Sequence, residues 1–394
     1  MKSSVVIGAN YGDEGKGLMT DYLCKKYNAD LVVRFNGGAQ AGHTVVTPEG
    51  ERHVFSHIGS GYFLGVPTCL SKDFILNPIL FKKEYTELKI PKDYKIYISP
   101  NSLITTYWDM LANRAMEEMR GDTAHGSCGV GINATIERAE QVSFQNDDFH
   151  KPNAIQRVQQ YWILRLLEFS QKINKHLPEW VEDCFGRADT INKQFLEDLG
   201  FMWSIIEYCH NSIFDKVGHV VFEGAQGLAL DQFYGRYPYV TRSNTGMRNV
   251  LELQRKEQGT FSIDEIIYVS RTYETRHGND PNFVLGELTL EGASDKTNVK
   301  NEWQGELRYR KLTYRDLFDR IKLDLQANNL WAAQKTSDIV RLAFTHLDQI
   351  PIDEFDLKYF EDKINGYVLL GYTVNGETRN AVDDKIEAKE TKGV

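Results

Sequence analysis

The stretch Gly8-Ala9-Asn10-Tyr11-Gly12-Asp13-Glu14-Gly15-Lys16-Gly17 sets a lysine and two carboxylates in a glycine-rich turn. It lies between the apolar run Val5-Val6-Ile7 and a helix-like segment, Leu18 to Lys26. Such a turn points backbone N–H groups and the positive end of a helix at an anion, and a lysine adds a point charge, so the arrangement cradles phosphate. Asp13 and Glu14 oppose that use, because they repel phosphate. The ordinary P-loop spacing also fails: neither Gly8 nor Gly12 stands at the required distance before Gly15-Lys16, and Gly17 replaces the magnesium-binding Ser or Thr. The turn therefore does chemistry besides holding phosphate.

A second glycine-rich stretch, Arg34 to Val46, ends the second strand-like run and carries His43 in a glycine-lined, flexible turn. Alone, such a histidine reads as a surface residue. Two loops leaving neighbouring strand ends converge at one crevice, where open α/β sheets bind ligands, and together supply an acid, a base and a phosphate cradle. A third stretch, Phe222 to Gly246, sets Gln226 at a strand's carboxyl end and adds Thr241, Ser243, Asn244 and Thr245 as donors for phosphate or ribose. There Tyr237, Pro238 and Tyr239 also fit a packing role. In a fourth, His125 to Arg138, Ser127 and the glycines are expected to form an anion nest.

These loops need strands and helices to hold them. Strand-like runs at Ser4–Ile7, Leu31–Phe35, Lys95–Ile98, His219–Glu223, Glu265–Val269 and Val340–Thr345 alternate with helical spacing at Ser102–Arg120 and Ala154–Leu177. Several runs are continuously apolar, as strands buried on both faces of a parallel sheet are. In the second helix the apolar residues are Trp162, Leu164, Leu166, Leu167 and Phe169. An α/β fold follows, a mostly parallel central sheet flanked by helices. Residues 1–384 read as one domain with a helical insertion at about 147–216, and 385–394 as a charged tail. Gly366–Asn380 reads as a hairpin turning at Asn375-Gly376.

Composition narrows the function classes. The 394 residues, 41% apolar and 26% charged, are ordinary for a globular protein, and no apolar run approaches the roughly 18 residues of a membrane span. Met1-Lys2-Ser3-Ser4 passes directly into a strand, without a signal peptide, so a cytoplasmic protein with no membrane partner is expected. Cys24, Cys69, Cys128, Cys184 and Cys209 are odd in number, widely spaced and lack a C-x-x-C pair, which suits reduced thiols rather than metal ligands. A net charge of −9 argues against nucleic acid as a partner and leaves room for a local basic pocket for a small anion.

Gly12-Asp13-Glu14-Gly15-Lys16-Gly17, Gly42-His43-Thr44, Glu223-Gly224-Ala225-Gln226-Gly227 and Tyr237-Pro238-Tyr239-Val240-Thr241, in this order, resemble the adenylosuccinate synthetase family. The likeness runs from Ser4 to about Val382, with unlike stretches in the helical middle. It implies a P-loop-like, GTPase-related version of the α/β fold. It also implies a homodimeric ligase that joins L-aspartate to C6 of inosine monophosphate, using GTP and Mg²⁺. By its match, Asp13 takes the N1 proton of the 6-oxopurine and ligates Mg²⁺ together with the carbonyl of Gly42. His43 donates a hydrogen bond or proton to O6, which attacks the γ-phosphate, and aspartate's amine then displaces the 6-phosphoryl group. That chemistry needs a base and an acid on opposite sides of one amide edge. Lys16 and the metal neutralise the phosphoryl group as it passes between anions.

Other positions carry over in the same way. Gly12, Gly15, Gly17, Gly42 and Thr44 surround phosphates. Gln226, with a catalytic role, Thr241, and Ser127 or Cys128 contact the purine nucleoside monophosphate, as does Gln40 where the family has asparagine. Asn301 to Asp316 resembles the aspartate-binding loop, whose cations here are Arg308, Arg310 and Lys311, with Arg310 the first choice. Glu14 is either catalytic or a helix N-terminal charge favoured by the dipole.

Three departures bear on substrate. The family's guanine-reading T-K-L-D is here Thr345-His346-Leu347-Asp348, the chain stops soon after Asn375-Gly376, and the arginine that reaches a neighbouring subunit's nucleotide falls near Val142, with Arg138 the nearest replacement. Loss of guanine contacts makes ATP a candidate donor beside GTP. The combination resembles the family's phage branch, the 2-aminoadenylosuccinate synthetases, which use dGMP and would work in the host cytoplasm; Asp13 is a residue many phage members replace. Guanine keeps the N1–H and O6 that Asp13 and His43 need. The phage-type reading, dGMP with ATP giving N6-succino-2-amino-2′-deoxyadenylate, is put ahead of an ordinary synthetase using IMP and GTP. The reading from another class is a nucleotide-binding NTPase or regulator without synthesis.

Overall fold

The computed structural model describes residues 1–145, 148, 151, 153–209, 211–256, 261–278, 280–284, 307–331, 339–350 and 368–385. Its strands, in chain order, are β1 (Lys2–Gly8), β2 (Leu31–Arg34), β3 (His43–Val46), β4 (Arg52–Phe55), β5 (Thr68–Leu70), β6 (Ile96–Ile98) and β7 (Glu207–Tyr208). They continue with β8 (His219–Gly227), β9 (Glu265–Arg271), β10 (Tyr273–Arg276), β11 (Arg308–Lys311), β12 (Val340–Thr345), β13 (Leu369–Val374) and β14 (Val382–Asp384). The helices are α1 (Lys16–Tyr27), α2 (Pro78–Leu88), α3 (Tyr107–Arg120), α4 (Ile132–Ala139), α5 (Ala154–Ile173), α6 (Glu179–Gly186), α7 (Ala188–Trp203), α8 (Arg248–Lys256) and α9 (Tyr314–Ala327).

Ten strands form one sheet in the order β14-β13-β12-β9-β1-β8-β2-β5-β6-β7. Every pairing in it is parallel except β13 with β14 at one edge. The apolar runs occupy its middle because both faces are covered. Val5, Ile7, Phe222, Ile266 and Tyr268 pack into one cluster, whereas Val6, Val221, Ile267 and Val269 pack into the other. Successive side chains of a strand point to opposite faces, so the stretch of a strand that lies between two apolar clusters runs apolar without alternation.

The helical region between β6 and β7 has its own cluster, centred on Trp108, Leu111, Trp162 and Leu199. Helix α3 begins at Tyr107 rather than near Ser102, because Thr106 and Asp109 form a reciprocal capping box that fixes the first turn. In α5, Trp162 and Leu166 are fully buried, but Leu164 and Leu167 are 61% and 42% exposed. Those two lie on the face turned from the cluster. The C-terminal hairpin exists, but not with the expected tight turn. Its return strand is β14, reached through a 3₁₀ turn at Arg379–Ala381 that Arg379 ties to the buried Asp21 of α1 at 2.9 Å. Gly366 and Tyr367, and residues 386–394 of the expected tail, lie outside the described residues.

Candidate active site

Strands β1 and β2 are not neighbours, as the two-loop reading expected: β8 runs between them. Three loops therefore leave three adjacent strands at their carboxyl ends, and the third brings Gln226. The close approach explains two glycines. A Cβ on Gly8 would meet Glu14 Oε2 at 2.5 Å, and one on Gly227 would meet Glu14 Oε1 at 2.6 Å. Glu14 is buried and turned back into its own loop, where it accepts from the N–H groups of Asn10 (3.0 Å) and Gly12 (2.8 Å) and from Lys16 Nζ (2.6 Å). It shapes the turn and stores the lysine, a role that neither earlier reading of Glu14 contained. The first turn of α1 is pressed against β3, since a Cβ on Gly17 would stand 2.9 Å from the carbonyl of Thr44. That contact brings Lys16 beside His43.

The crevice is a cavity of about 460 Å³. On its wall stand Gly12, Asp13, Gly15, Lys16, Gly17, Gln40, Gly42, His43, Thr44, Ser127, Cys128, Gln226, Thr241 and Asp348, gathered from segments far apart in sequence. His43 is not in a flexible surface turn: it opens β3 and is buried. Its Nδ1 meets Glu223 Oε1 at 2.5 Å, and Glu223 also accepts from the Ser60 hydroxyl and from the Ser60 N–H at 3.0 Å. Arg34 lies 3.9 Å from the same carboxylate. Burial, reinforced by Arg34, pulls the imidazole of His43 down to about 4. Burial pushes Glu223 up, but Arg34, His43 and Ser60 more than offset it and hold the carboxylate down to about 2. The free site thus holds a neutral imidazole whose Nδ1–H donates to a carboxylate, leaving Nε2 for a ligand. Only a Glu-Gly-Ala-Gln-Gly segment leaving a strand hinted at Glu223; its pairing is a tertiary event.

Asp13 adopts φ +62°, a left-handed conformation uncommon for a non-glycine residue, at the apex of the turn. Its carbonyl accepts from Arg271 Nε at 2.5 Å. His277 Nε2 lies 3.6 Å from its carboxylate. Burial raises the Asp13 carboxyl above its usual range, with His277, Arg271 and Lys16 opposing. A raised carboxyl is a stronger base than a free aspartate. Gln226, also left-handed at φ +56°, has a buried Oε1 without a hydrogen-bond partner. Both amide atoms of Gln40 are buried and equally unmatched. Unpaired buried polar groups are costly in a folded chain, and here they border the cavity a ligand would fill.

Several expected contacts are otherwise engaged. The nest at His125–Arg138 is already filled: Glu117 Oε2 accepts from the N–H groups of Gly126 (2.8 Å) and Ser127 (3.1 Å), and Asn113 donates to the Ser127 hydroxyl at 2.8 Å. Burial pushes the Cys128 thiol up, so it offers a thiol rather than a thiolate. Arg308 donates to the carbonyls of Gly278, Asp280 and Phe283 and braces its own loop. Arg310 pairs with the buried Glu274. Neither these two nor Lys311 lies on the cavity wall; the arginines there are Arg52, Arg271 and Arg276. Residues 301–306 of the segment likened to an aspartate loop lie outside the described residues. Arg138 does not reach outward, because it is fully buried against Asp109. All five cysteines are free thiols. Among the described residues no helix is long and apolar enough to cross a membrane.

A parallel sheet whose crevice joins a glycine–lysine turn, a raised carboxyl and a carboxylate-held histidine has the parts of a nucleotide-handling enzyme. Residues 5–350 match the family model described as adenylosuccinate synthetase. The chain belongs to that family, whose members are ligases forming a C–N bond. Curated relatives agree: the adenylosuccinate synthetase of Picrophilus torridus is 30% identical over 395 residues, covering 95% of this chain and 86% of its own length. That of Trichormus variabilis is 31% identical over 318 residues, 75% of this chain and 66% of its own length. Two solved structures share the fold. The fully ligated adenylosuccinate synthetase of Plasmodium falciparum superposes with a TM-score of 0.67 at 18% identity, covering 97% of this chain and 99% of its own. The succinoaminodeoxyadenylate synthetase of cyanophage S-2L, bound to dGMP and to dATP as an energy donor, does so with 0.63 at 16% identity, covering 100% and 97%.

Proposed function

We propose that this cavity joins L-aspartate to C6 of dGMP, with ATP as phosphoryl donor, forming N6-succino-2-amino-2′-deoxyadenylate. The observation that carries the C6 chemistry is that Asp13 and the Glu223-held His43 border one cavity beside Lys16. Asp13 takes the N1 proton, for which its raised carboxyl suits it. Charge then develops on O6, and His43 Nε2 meets it there. The imidazole must gain a proton to donate from both nitrogens, and phosphates beside Lys16 favour that by offsetting one of the charges that, after burial and Arg34, keep it neutral. Lys16 leaves Glu14 for the phosphates. Gln226 and Gln40 supply the amide groups that the monophosphate nucleotide pairs. Aspartate's carboxylates meet Arg276 at the wall, and the strand carrying Arg308, Arg310 and Lys311, which stands off the wall, would have to move inward to join it.

Magnesium fits this donor set. Among the described residues no group of three or more His, Cys, Asp or Glu forms a cage, while Asp13 and Gly42 border the cavity. One carboxylate and one carbonyl, completed by phosphates and water, is how Mg²⁺ is commonly held. When bound it would neutralise charge on the transferring phosphoryl group. The enzyme would act as a cytoplasmic homodimer, and residues 1–384 as one domain.

Support for the dGMP and ATP variant is the histidine in Thr345-His346-Leu347-Asp348 and the overlap in fold with a phage enzyme bound to dGMP and dATP. Asp348, which borders the cavity and suits guanine N1–H and N2–H, keeps the IMP and GTP reading as the second. A matrix of IMP, GMP and dGMP against GTP and ATP, with aspartate and Mg²⁺, tests both by following the succinyl product. Product from dGMP with ATP above all other pairs is expected. Product from IMP and GTP alone would replace the first reading with the second, and NTP hydrolysis with no succinyl product would favour the non-synthetic one.

A further inference from the structure

Opposite the Thr345-His346-Leu347-Asp348 segment the cavity carries a second carboxylate, Glu377, that no family motif announced. Strands β12 and β13 are parallel neighbours, and the loops at their carboxyl ends are tied together by the Leu347 N–H donating to the carbonyl of Val374 at 3.2 Å. His346, Asp348 and Gln349 from the first loop, and Gly376 and Glu377 from the second, border the same cavity. This end adjoins the phosphate turn. The Thr345 hydroxyl donates to the carbonyl of Glu14 at 2.7 Å, and a Cβ on Gly15 would stand 3.2 Å from Thr345 Cγ2. A nucleotide whose phosphates rest on Gly12 to Gly17 can therefore place its base between His346–Gln349 and Gly376-Glu377.

The turn that carries Glu377 is braced on three sides. Asn375 N–H donates to the carbonyl of Ala381, Thr378 bridges to Val46 of β3, and Arg379 pairs with the buried Asp21. Glu377 is exposed, at the tip of this braced turn. A carboxylate only accepts hydrogen bonds at neutral pH. Of the two purine donors, adenine offers an N6 amino group where guanine offers the O6 acceptor, which a carboxylate repels.

We propose that Glu377 is a specificity-determining residue for the phosphoryl donor, accepting from the N6 amino group of adenine and disfavouring guanine at O6. This rests on the reading that ATP is the donor. A preorganised turn makes such discrimination effective, because the wrong base leaves the carboxylate facing an acceptor without a large rearrangement to relieve it.

The test compares kcat/KM for ATP, GTP and ITP in wild type, Glu377→Gln and Glu377→Ala, with saturating dGMP and aspartate. ITP carries O6 but lacks the 2-amino group, so it separates the two edges of the base. Wild type is expected to prefer ATP over both. Glu377→Gln, whose amide can donate to O6, should move the ATP-to-GTP and ATP-to-ITP ratios toward the 6-oxo donors by about tenfold or more, the size of a hydrogen bond to a charged group. Glu377→Ala should lower ATP use and, by removing the repulsion at O6, give GTP and ITP a gain smaller than the amide gives. If wild type prefers ATP and both ratios stay within about twofold in Glu377→Gln, Glu377 does not read the donor although the donor reading stands. If wild type prefers GTP, the donor reading itself fails, and the role of Glu377 with it.

Discussion

Two buried arginine–carboxylate pairs in this molecule look alike and are finished differently. Asp109 and Arg138 sit in the helical layer, both fully buried. Asp109 accepts from Arg138 Nε and Nη2, Trp162 Nε1, and the N–H and hydroxyl of Thr106, at 2.7–3.1 Å. The remaining Arg138 donors go to the carbonyls of Ile104 and Val142. Around Glu223 and Arg34, by contrast, Arg34 Nε and Nη2 lack hydrogen-bond partners, and the unmatched amides of Gln40 and Gln226 border the cavity close by. A closed polar cluster fixes helices against one another. Beside the second pair, the Gln40 amide and Gln226 Oε1 at the cavity keep hydrogen-bonding capacity for something that is not part of the chain, whereas Arg34 itself stands off the wall.

The difference predicts opposite responses to mutation. The largest effect is expected on the open side: Asp13→Asn should lower turnover by about 10²–10⁴-fold, the usual worth of a general base, while monophosphate binding and thermal stability stay near wild type. Turnover within tenfold of wild type would remove Asp13 from the chemistry. On the closed side, Asp109→Ala should cost about 3–5 kcal/mol of unfolding free energy, because it strands the buried Arg138 charge. Denaturant unfolding measures this, and a loss below about 1 kcal/mol would mean the cluster relaxes around the gap.

Glu223→Gln sharpens the comparison, since it keeps an acceptor for His43 Nδ1 but removes the charge that supports an imidazolium. We expect kcat to fall by about ten- to a hundredfold with nucleotide KM changed by less than about threefold. An equal rise in KM with unchanged kcat would make Glu223 a binding-site brace only.

The smallest effect concerns a third kind of buried carboxylate. Asp324 accepts from the Tyr268 hydroxyl (2.7 Å), the Met247 N–H (3.2 Å) and Asn328 Nδ2 (2.9 Å), all neutral. Burial raises it to about 6. The folded state therefore keeps its proton up to about pH 6, while an unfolded aspartate loses it near about pH 3.9. Between those values the unfolded state binds fewer protons, so this group's contribution falls as pH rises through that window. The stability gap between wild type and Asp324→Asn should shift against wild type by about 1–3 kcal/mol from pH 4 to pH 7. A pH-independent gap would show that Asp324 titrates alike in the folded and unfolded chain.

Much of the sheet was legible because the middles of β1, β8, β9 and β12 are buried on both faces and run apolar, as Val5-Val6-Ile7 and Ile266-Ile267-Tyr268-Val269 do. Strand β5 was not, since three residues, Thr68-Cys69-Leu70, carry no periodicity. The start of α3 was misplaced by the apolar pattern and corrected by a capping box. Leu164 and Leu167 show that apolar residues within a helix do not all face the core.

By itself the sequence determined the family and the chemically equipped segments, because glycine turns, a lysine and an acid at fixed spacing depend only on local geometry. Tertiary structure alone decided what each group faces. Insertion of β8 between β1 and β2 set Glu223 on His43, the return of the Glu14 side chain set it on Lys16, and the fold of the 117–127 segment set Glu117 in the expected anion nest. The physical reason is that charge, hydrogen-bond capacity and basicity belong to a side chain only together with its neighbours. Those neighbours, 180 residues apart for His43 and Glu223, are chosen by the packing of the sheet.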